Sequence, residues 1–198
     1  MKVGLLGGSF NPVHNGHIEL AKAALDFFHL DKVLFLPSGN HPFKDHSDVP
    51  PIEMRYELTK KAISPYPFFE ISRFDMETEA PSYTKLLVLR LNKMFPHDKF
   101  YFITGSDIIY ELKKWYDYKW LLDNIEFIVA HRPGFDKLNT HELGYIDKFH
   151  FMKMKPIDIS STMIRKMIGE HKNITGLVPA DIEKDLISIY SPYHSKFT

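Results

Sequence analysis

Gly7-Gly8-Ser9-Phe10-Asn11-Pro12-Val13-His14-Asn15-Gly16-His17 decides how this chain is read. The stretch follows the apolar run Val3-Gly4-Leu5-Leu6, which predicts a strand. It leads into Leu20, Ala21, Ala24, Leu25 and Phe28, whose i, i+3, i+4 spacing predicts a helix with one buried face. The order is therefore strand, glycine turn, and two histidines at a helix N-terminus. Such an arrangement collects anions, because free backbone N–H groups and the positive end of the helix dipole point to one place. Gly7 and Gly8 admit a bulky phosphate, and Gly16 keeps the first turn thin. His14 and His17 are three apart and can face one ligand.

Other readings of a glycine turn are narrower here. No Gly-Lys-Ser/Thr follows, so it is not a Walker A loop, and it is not a GxGxxG dinucleotide fingerprint. His-x-x-His on a helix could hold zinc, but a catalytic zinc needs a third protein ligand, and none stands at an obvious spacing. No metal site is expected. The segment resembles the GxFxPxHxGH motif of the nucleotidylyltransferase branch of the HIGH-motif superfamily, with Gly8, Phe10, Pro12, His14, Gly16 and His17 at its fixed positions.

The 198 residues suit a single domain over 1–198, with a closing helical segment at about 159–190. No apolar run approaches bilayer length, and no signal peptide is visible. Cysteine is absent, which excludes disulfides and cysteine nucleophiles and fits a cytoplasmic protein. Lysine plus arginine equal aspartate plus glutamate at 25 each. That balance gives no general support for nucleic-acid or membrane partners.

Strands alternate with helices along the chain. Strands are expected at Lys32–Leu36, Phe68–Phe74, Phe100–Thr104, Phe127–Ala130 and Phe149–Met154, with Phe127–Ala130 central. Helices are expected at Ile52–Ile63, Ser82–Phe95, Asp107–Lys114, Trp120–Asp123, Ser160–Ile168 and Ala180–Tyr190. In Ser82–Phe95 the stripe Tyr83, Leu86, Leu87, Leu91, Met94 predicts the buried face. Residues 39–51, with three prolines, read as a loop. The fold class is α/β: a Rossmann-like, doubly wound domain with a mostly parallel sheet and C-terminal helices. Ligands of such sheets bind beyond the carboxyl ends of the strands, where strand order reverses. The glycines at 7, 39, 105 and 134 lie on that side.

A second anion motif comes late. In Ile159-Ser160-Ser161-Thr162-Met163-Ile164-Arg165, a serine can cap the helix, and Arg165 lies one turn inside it. Alone, this is also what an ordinary cap with a surface arginine looks like. Beside the first motif it resembles the ISxTxxR segment that closes the active site of the same superfamily and holds ATP phosphates. The segments Ala80-Pro81-Ser82-Tyr83-Thr84, Gly105-Ser106-Asp107, Trp115-Tyr116 and Arg132-Pro133-Gly134 follow in order between the two. Together they resemble the bacterial nicotinate-nucleotide adenylyltransferases over essentially the whole chain. One segment departs from that pattern. Where the family usually has Pro-Pro-His-Lys, this chain has Asn40-His41-Pro42-Phe43-Lys44, which keeps the lysine and replaces the histidine.

The resemblance implies transfer of AMP from ATP to nicotinate mononucleotide, giving nicotinate adenine dinucleotide and pyrophosphate, with Mg²⁺ carried by ATP. The attacking phosphate oxygen is already anionic, so the site must place and neutralise rather than generate a nucleophile. His14, His17 and Arg165 are the expected catalytic residues, with His17 at the α-phosphate. Gly8, Ser9, Phe10, Lys44, Gly105, Asp107, Ile159, Ser160, Ser161 and Thr162 are expected around ATP. Asp107 can accept from ribose hydroxyls or merely cap a helix. Tyr83, Thr84, Trp115, Tyr116 and Arg132 are expected around the mononucleotide, through backbone N–H groups at 83–84 and a flat indole at Trp115. Packing against the sheet is the alternative for the aromatic residues. The rival functions are a transferase with another acceptor (nicotinamide mononucleotide, phosphopantetheine, glycerol phosphate) and a non-catalytic nucleotide sensor. The chain could act alone or as a homo-oligomer.

Overall fold

A computed structural model describes residues 1–39, 49–74, 76, 83–130, 145–155 and 157–191. The elements in chain order are β1 (Lys2–Gly8), α1 (Asn15–Phe28), β2 (Lys32–Pro37), α2 (Ile52–Ile63), β3 (Phe69–Ile71), α3 (Thr84–Met94) and β4 (Lys99–Gly105). Then follow α4 (Ile108–Glu111), a 3₁₀ turn (Leu112–Lys114), α5 (Tyr118–Asn124), β5 (Glu126–Ala130), β6 (Phe149–Met152), α6 (Ser161–Gly169) and α7 (Ala180–Tyr190). The strands form one sheet in the order β3-β2-β1-β4-β5-β6, and every pairing between them is parallel.

Alternation along the strands sorts the core onto two faces. Leu6, Val33, Phe35, Tyr101, Ile103, Ile128 and Ala130 point to one face and meet Ile18, Ala21 and Ala24 of α1. The same face receives Leu58 and Ala62 of α2, Ile164 and Ile168 of α6, and Ile182 and Leu186 of α7. Val3, Leu5, Leu34, Leu36, Phe100, Phe102, Phe127 and Val129 point the other way, against Leu87, Val88 and Leu91 of α3 and Leu121 and Leu122 of α5. Strands buried on both sides are apolar throughout, which is why they read as continuous runs rather than alternating ones.

The sheet opens where strand order reverses. β1 and β4 pair only from Lys2↔Lys99 to Leu5↔Phe102. β1 stays paired with β2 as far as Gly8↔Pro37, and β4 with β5 as far as Gly105↔Ala130. The carboxyl halves of the two central strands therefore separate. The β1–α1 loop leaves on one side of that split, and the β4–α4 turn on the other.

Several expectations change. The third strand is shorter than Phe68–Phe74, because Ser72 onward leaves the ladder after Phe35↔Ile71. The last strand ends at Met152, not Met154, with the final β5 partner at Ala130. Phe127–Ala130 lies second from the edge; β1 and β4 are central. Residues 107–114 are not one helix, since α4 tightens into the 3₁₀ turn. The buried face of α3 is Leu87, Val88 and Leu91, while Leu86 and Met94 are exposed.

Candidate active site

The loop after β1 turns sharply. Phe10 has φ of 41° and is fully buried, its ring 5.0 Å from His17 edge-on and 5.7 Å from Phe35. A non-glycine residue in that region is sustained only by its surroundings. Because the Phe10 side chain is packed inside, only its backbone can face a nucleotide. His14 is the N-cap of α1, with its backbone extended. The two imidazoles lie against each other with centroids 3.7 Å apart. The His14 backbone N–H donates to Nδ1 of His17 at 3.2 Å. An N–H can only donate, so Nδ1 offers its lone pair, and the neutral ring carries its proton on Nε2. A Cβ at Gly16 would come 2.9 Å from Nδ1 of His14, so this close histidine packing requires glycine there.

The second motif docks on the first. Ser160 caps α6, its Oγ accepting from the Met163 N–H at 3.1 Å. Ser161 Oγ donates to the Pro12 carbonyl at 2.8 Å. One guanidinium nitrogen of Arg165 donates to the Asn11 carbonyl at 2.7 Å, and the other to Thr162 Oγ1 at 3.3 Å. Ile159 packs on the core beside them. Two segments 149 and more positions apart in sequence are thus joined by hydrogen bonds to consecutive loop carbonyls. Burial pushes the Arg165 pKa down from the ordinary arginine value.

Two further residues hold this loop. Tyr190, at the end of α7, donates to Oδ1 of Asn11 at 2.6 Å in the core. Arg55, on the inner face of α2 and 3 % exposed, donates through Nε to the Pro50 carbonyl at 3.1 Å. Its terminal nitrogens donate to the carbonyls of Ser9 and, at 3.0 Å, Ser38. Burial also lowers its pKa.

Across the split, β4 ends at Gly105. Asp107 follows at the first position before α4, exposed, and its side chain makes no cap hydrogen bond. α3 opens at Thr84, with Tyr83 as its N-cap. Tyr83 stacks on Tyr116 at 4.7 Å, and Tyr116 is half exposed. Trp115 instead meets Phe102 edge-on at 5.4 Å and joins the core beneath. Lys85 pairs with Asp117 at 2.6 Å and lies 5.8 Å from the Tyr116 ring.

The Cytidylyltransferase-like family matches residues 5–167 of this chain. The probable nicotinate-nucleotide adenylyltransferase of Clostridium perfringens (strain SM101) is 34% identical over 97% of this chain and 98% of its own length. That of Moorella thermoacetica is 38% identical over 96% of this chain and 92% of its own. The chain belongs to the nicotinate-nucleotide adenylyltransferase family. The fold agrees. The Plasmodium falciparum nicotinic acid mononucleotide adenylyltransferase complexed with NaAD superposes with a TM-score of 0.80 at 20% identity, covering 100% of this chain and 98% of that one. A putative nicotinate-nucleotide adenylyltransferase from Vibrio parahaemolyticus gives 0.68 at 18% identity, with 98% and 95% covered.

In this member of the nicotinate-nucleotide adenylyltransferase family, the structure brings together Gly8, Ser9, Phe10, His14, His17, Ser160, Ser161, Thr162 and Arg165. Gly105 and Asp107 stand at the end of the neighbouring central strand, and Tyr83 with Tyr116 beyond them. Lys44 and Arg132 lie outside the described residues, as do His41, Phe43 and Gly134. Among the described residues no three histidine, aspartate or glutamate side chains are grouped to hold a metal ion. No helix among them is long and apolar enough to cross a membrane. Sequence reading missed Arg55 and Tyr190. Arg55 left a signal, because it falls in phase with Leu58, Thr59 and Ala62 on the buried stripe of α2.

Proposed function

We propose that this chain transfers the adenylyl group of ATP to nicotinate mononucleotide, a step of NAD biosynthesis. A phosphate oxygen of the mononucleotide attacks the α-phosphorus. The bond from that phosphorus to the bridging oxygen breaks, and pyrophosphate leaves with the electron pair. No proton need be removed from the attacking oxygen at neutral pH. The residues therefore act by position and charge. The observation that carries the reading is the junction of the two anion motifs, with Ser161 and Arg165 donating to the carbonyls of Pro12 and Asn11.

His17, with its proton on Nε2, supplies a donor at the reacting α-phosphate. His14, Ser9, Lys44 and Arg165 hold the other phosphates, with the N–H groups of Gly8 and Phe10 and the N-termini of α1 and α6. Asp107, uncommitted to capping, accepts from ribose hydroxyls near Gly105. Thr84 and Tyr83 offer N–H groups to the nicotinate carboxylate, Tyr116 and Trp115 flank the ring, and Arg132 is assigned to the mononucleotide. ATP arrives as its Mg²⁺ complex, the metal held by phosphate oxygens and water. The reaction is placed in the cytoplasm, where ATP is at hand, on a single domain spanning the chain.

Purified protein given ATP, Mg²⁺ and nicotinate mononucleotide is expected to form the dinucleotide and pyrophosphate in equal amounts. ATP binding without either product would make the chain a nucleotide sensor. Product only with another phosphate acceptor would move it to a different transferase.

A further inference from the structure

Arg55 poses a question that packing does not answer. It is a cation in the core. Among the described residues no carboxylate pairs with it; three backbone carbonyls solvate it instead. Burying a charge costs free energy unless its partners are well placed. The partners are the Pro50 carbonyl before α2, the Ser38 carbonyl just past the end of β2, and the Ser9 carbonyl in the β1–α1 loop. Two of these three lie at the carboxyl edge of the sheet, where the site is built.

The Ser9 contact has a directional consequence. Ser9 C=O and Phe10 N–H belong to one trans peptide plane, and in a trans peptide they point opposite ways. The guanidinium beneath the loop draws the carbonyl inward, so the Phe10 N–H is turned away from the core. With the peptide reversed, the Ser9 oxygen would face an incoming phosphate and repel it. Arg165 and Ser161 hold the Asn11 and Pro12 carbonyls from the other side. The loop is therefore clamped by its carbonyls. Its buried cation also sits in a low-dielectric setting where its field is poorly screened.

We infer that Arg55 is a positioning residue of the phosphate site: it fixes the Ser9–Phe10 peptide with its N–H toward the pyrophosphate portion of ATP and lends that site a buried positive charge. It touches no substrate. The inference rests on the ATP reading above, and its test separates the two. Inorganic pyrophosphate is the probe, titrated by calorimetry well below the melting temperature, with turnover measured alongside.

Arg55→Met removes both charge and clamp. It is expected to weaken pyrophosphate binding about 10- to 100-fold, the range for losing a hydrogen bond to a charged group. Arg55→Lys keeps the charge but cannot span three carbonyls from one ammonium. It should recover only the share due to charge, binding pyrophosphate more tightly than the Met variant and more weakly than the unmutated protein, with kcat likewise between the two. If a folded variant binds pyrophosphate and turns over within about threefold of the unmutated protein, Arg55 is only a strap and the inference fails; the threefold margin allows for ordinary context effects on a single hydrogen bond. Should both variants fail to fold, the Phe10 amide resonance of the unmutated protein decides: it must shift on adding pyrophosphate, and an unmoved resonance overturns the inference. If the unmutated protein binds pyrophosphate through that amide yet makes no dinucleotide, the functional reading falls and the role of Arg55 stands.

Discussion

At the scale of residues, the proposed role of His17 gives each of its two nitrogens a separate task. Nδ1 accepts from the His14 N–H and so completes the first turn of α1. Nε2 is the donor proposed for the α-phosphate. Substitutions can divide these roles. An asparagine carbonyl can stand near the place of Nδ1, but asparagine has nothing at Nε2. His17→Asn is expected to melt within a few degrees of the unmutated protein while kcat drops about 10²- to 10³-fold, as for loss of one preorganised charge-stabilising donor. A near-normal kcat would assign His17 to the helix cap alone. The histidine pair, the glycine that makes room for it and the serine cap were legible from spacing, because their chemistry is local. Arg55 and Tyr190 were not. The phase of Arg55 on α2 shows only that it faces inward; the loop residues the two side chains hold, Ser9 and Asn11, lie 46 and 179 positions away, and only the folded chain brings them together.

Among elements, α6 shows how a cap and a tether differ. Adjacent serines do separate work: Ser160 satisfies an amide of its own helix, and Ser161 reaches the Pro12 carbonyl across the site. Ser160→Ala should cost about 1 kcal/mol of stability as a lost N-cap. Ser161→Ala should cost about 0.5–1.5 kcal/mol as a lost hydrogen bond. The second should raise KM for ATP the more, because it loosens the whole of α6 from the phosphate loop while the first frays only the cap. Equal KM effects in the two variants would mean that the tether adds nothing for ATP beyond the cap. Element boundaries were less legible than element types. α3 carries Leu86, Leu87, Val88, Leu89 and Leu91 in near succession, so apolar spacing alone fits more than one face. The sheet selects Leu87, Val88 and Leu91 and leaves Leu86 and Leu89 outside. β3 ended early for a different reason: β2 runs on to Pro37, which has no N–H to donate to the chain beyond Ile71, and nothing in Phe68–Phe74 records that.

For the whole molecule, the residues proposed for the two substrates stand on both sides of the parted strands β1 and β4. The loop from β1 and the docked α6 carry the histidines, serines and arginine proposed for ATP. The elements next to β4 carry Tyr83, Thr84, Trp115 and Tyr116, proposed for the mononucleotide, and also Gly105 and Asp107, proposed for ATP. The α/β class and the place of the site followed from strand–helix alternation, whereas the depth of the split depends on a pairing register that no local pattern encodes. If the two residue sets serve different substrates, lesions in them should sort by substrate. Tyr116→Ala removes an exposed ring that stacks on Tyr83 and touches the core little. It is expected to raise KM for the mononucleotide and leave ATP affinity unchanged. Trp115→Ala is a poorer probe, because its indole also packs on Phe102. Selectivity should come from the backbone donors at the start of α3. A nicotinamide amide would turn its NH₂ toward N–H groups and leave them unpaired, at about 1–3 kcal/mol per unsatisfied group. The unmutated protein should therefore prefer nicotinate over nicotinamide mononucleotide by about ten- to a hundredfold in kcat/KM. Tyr116→Ala should lower kcat/KM for both alike, since a ring stacks on either base. Equal kcat/KM for the two mononucleotides in the unmutated protein would remove the nicotinate assignment, and a ratio that collapses in Tyr116→Ala would make the tyrosine, not the α3 amides, the reader of the carboxylate.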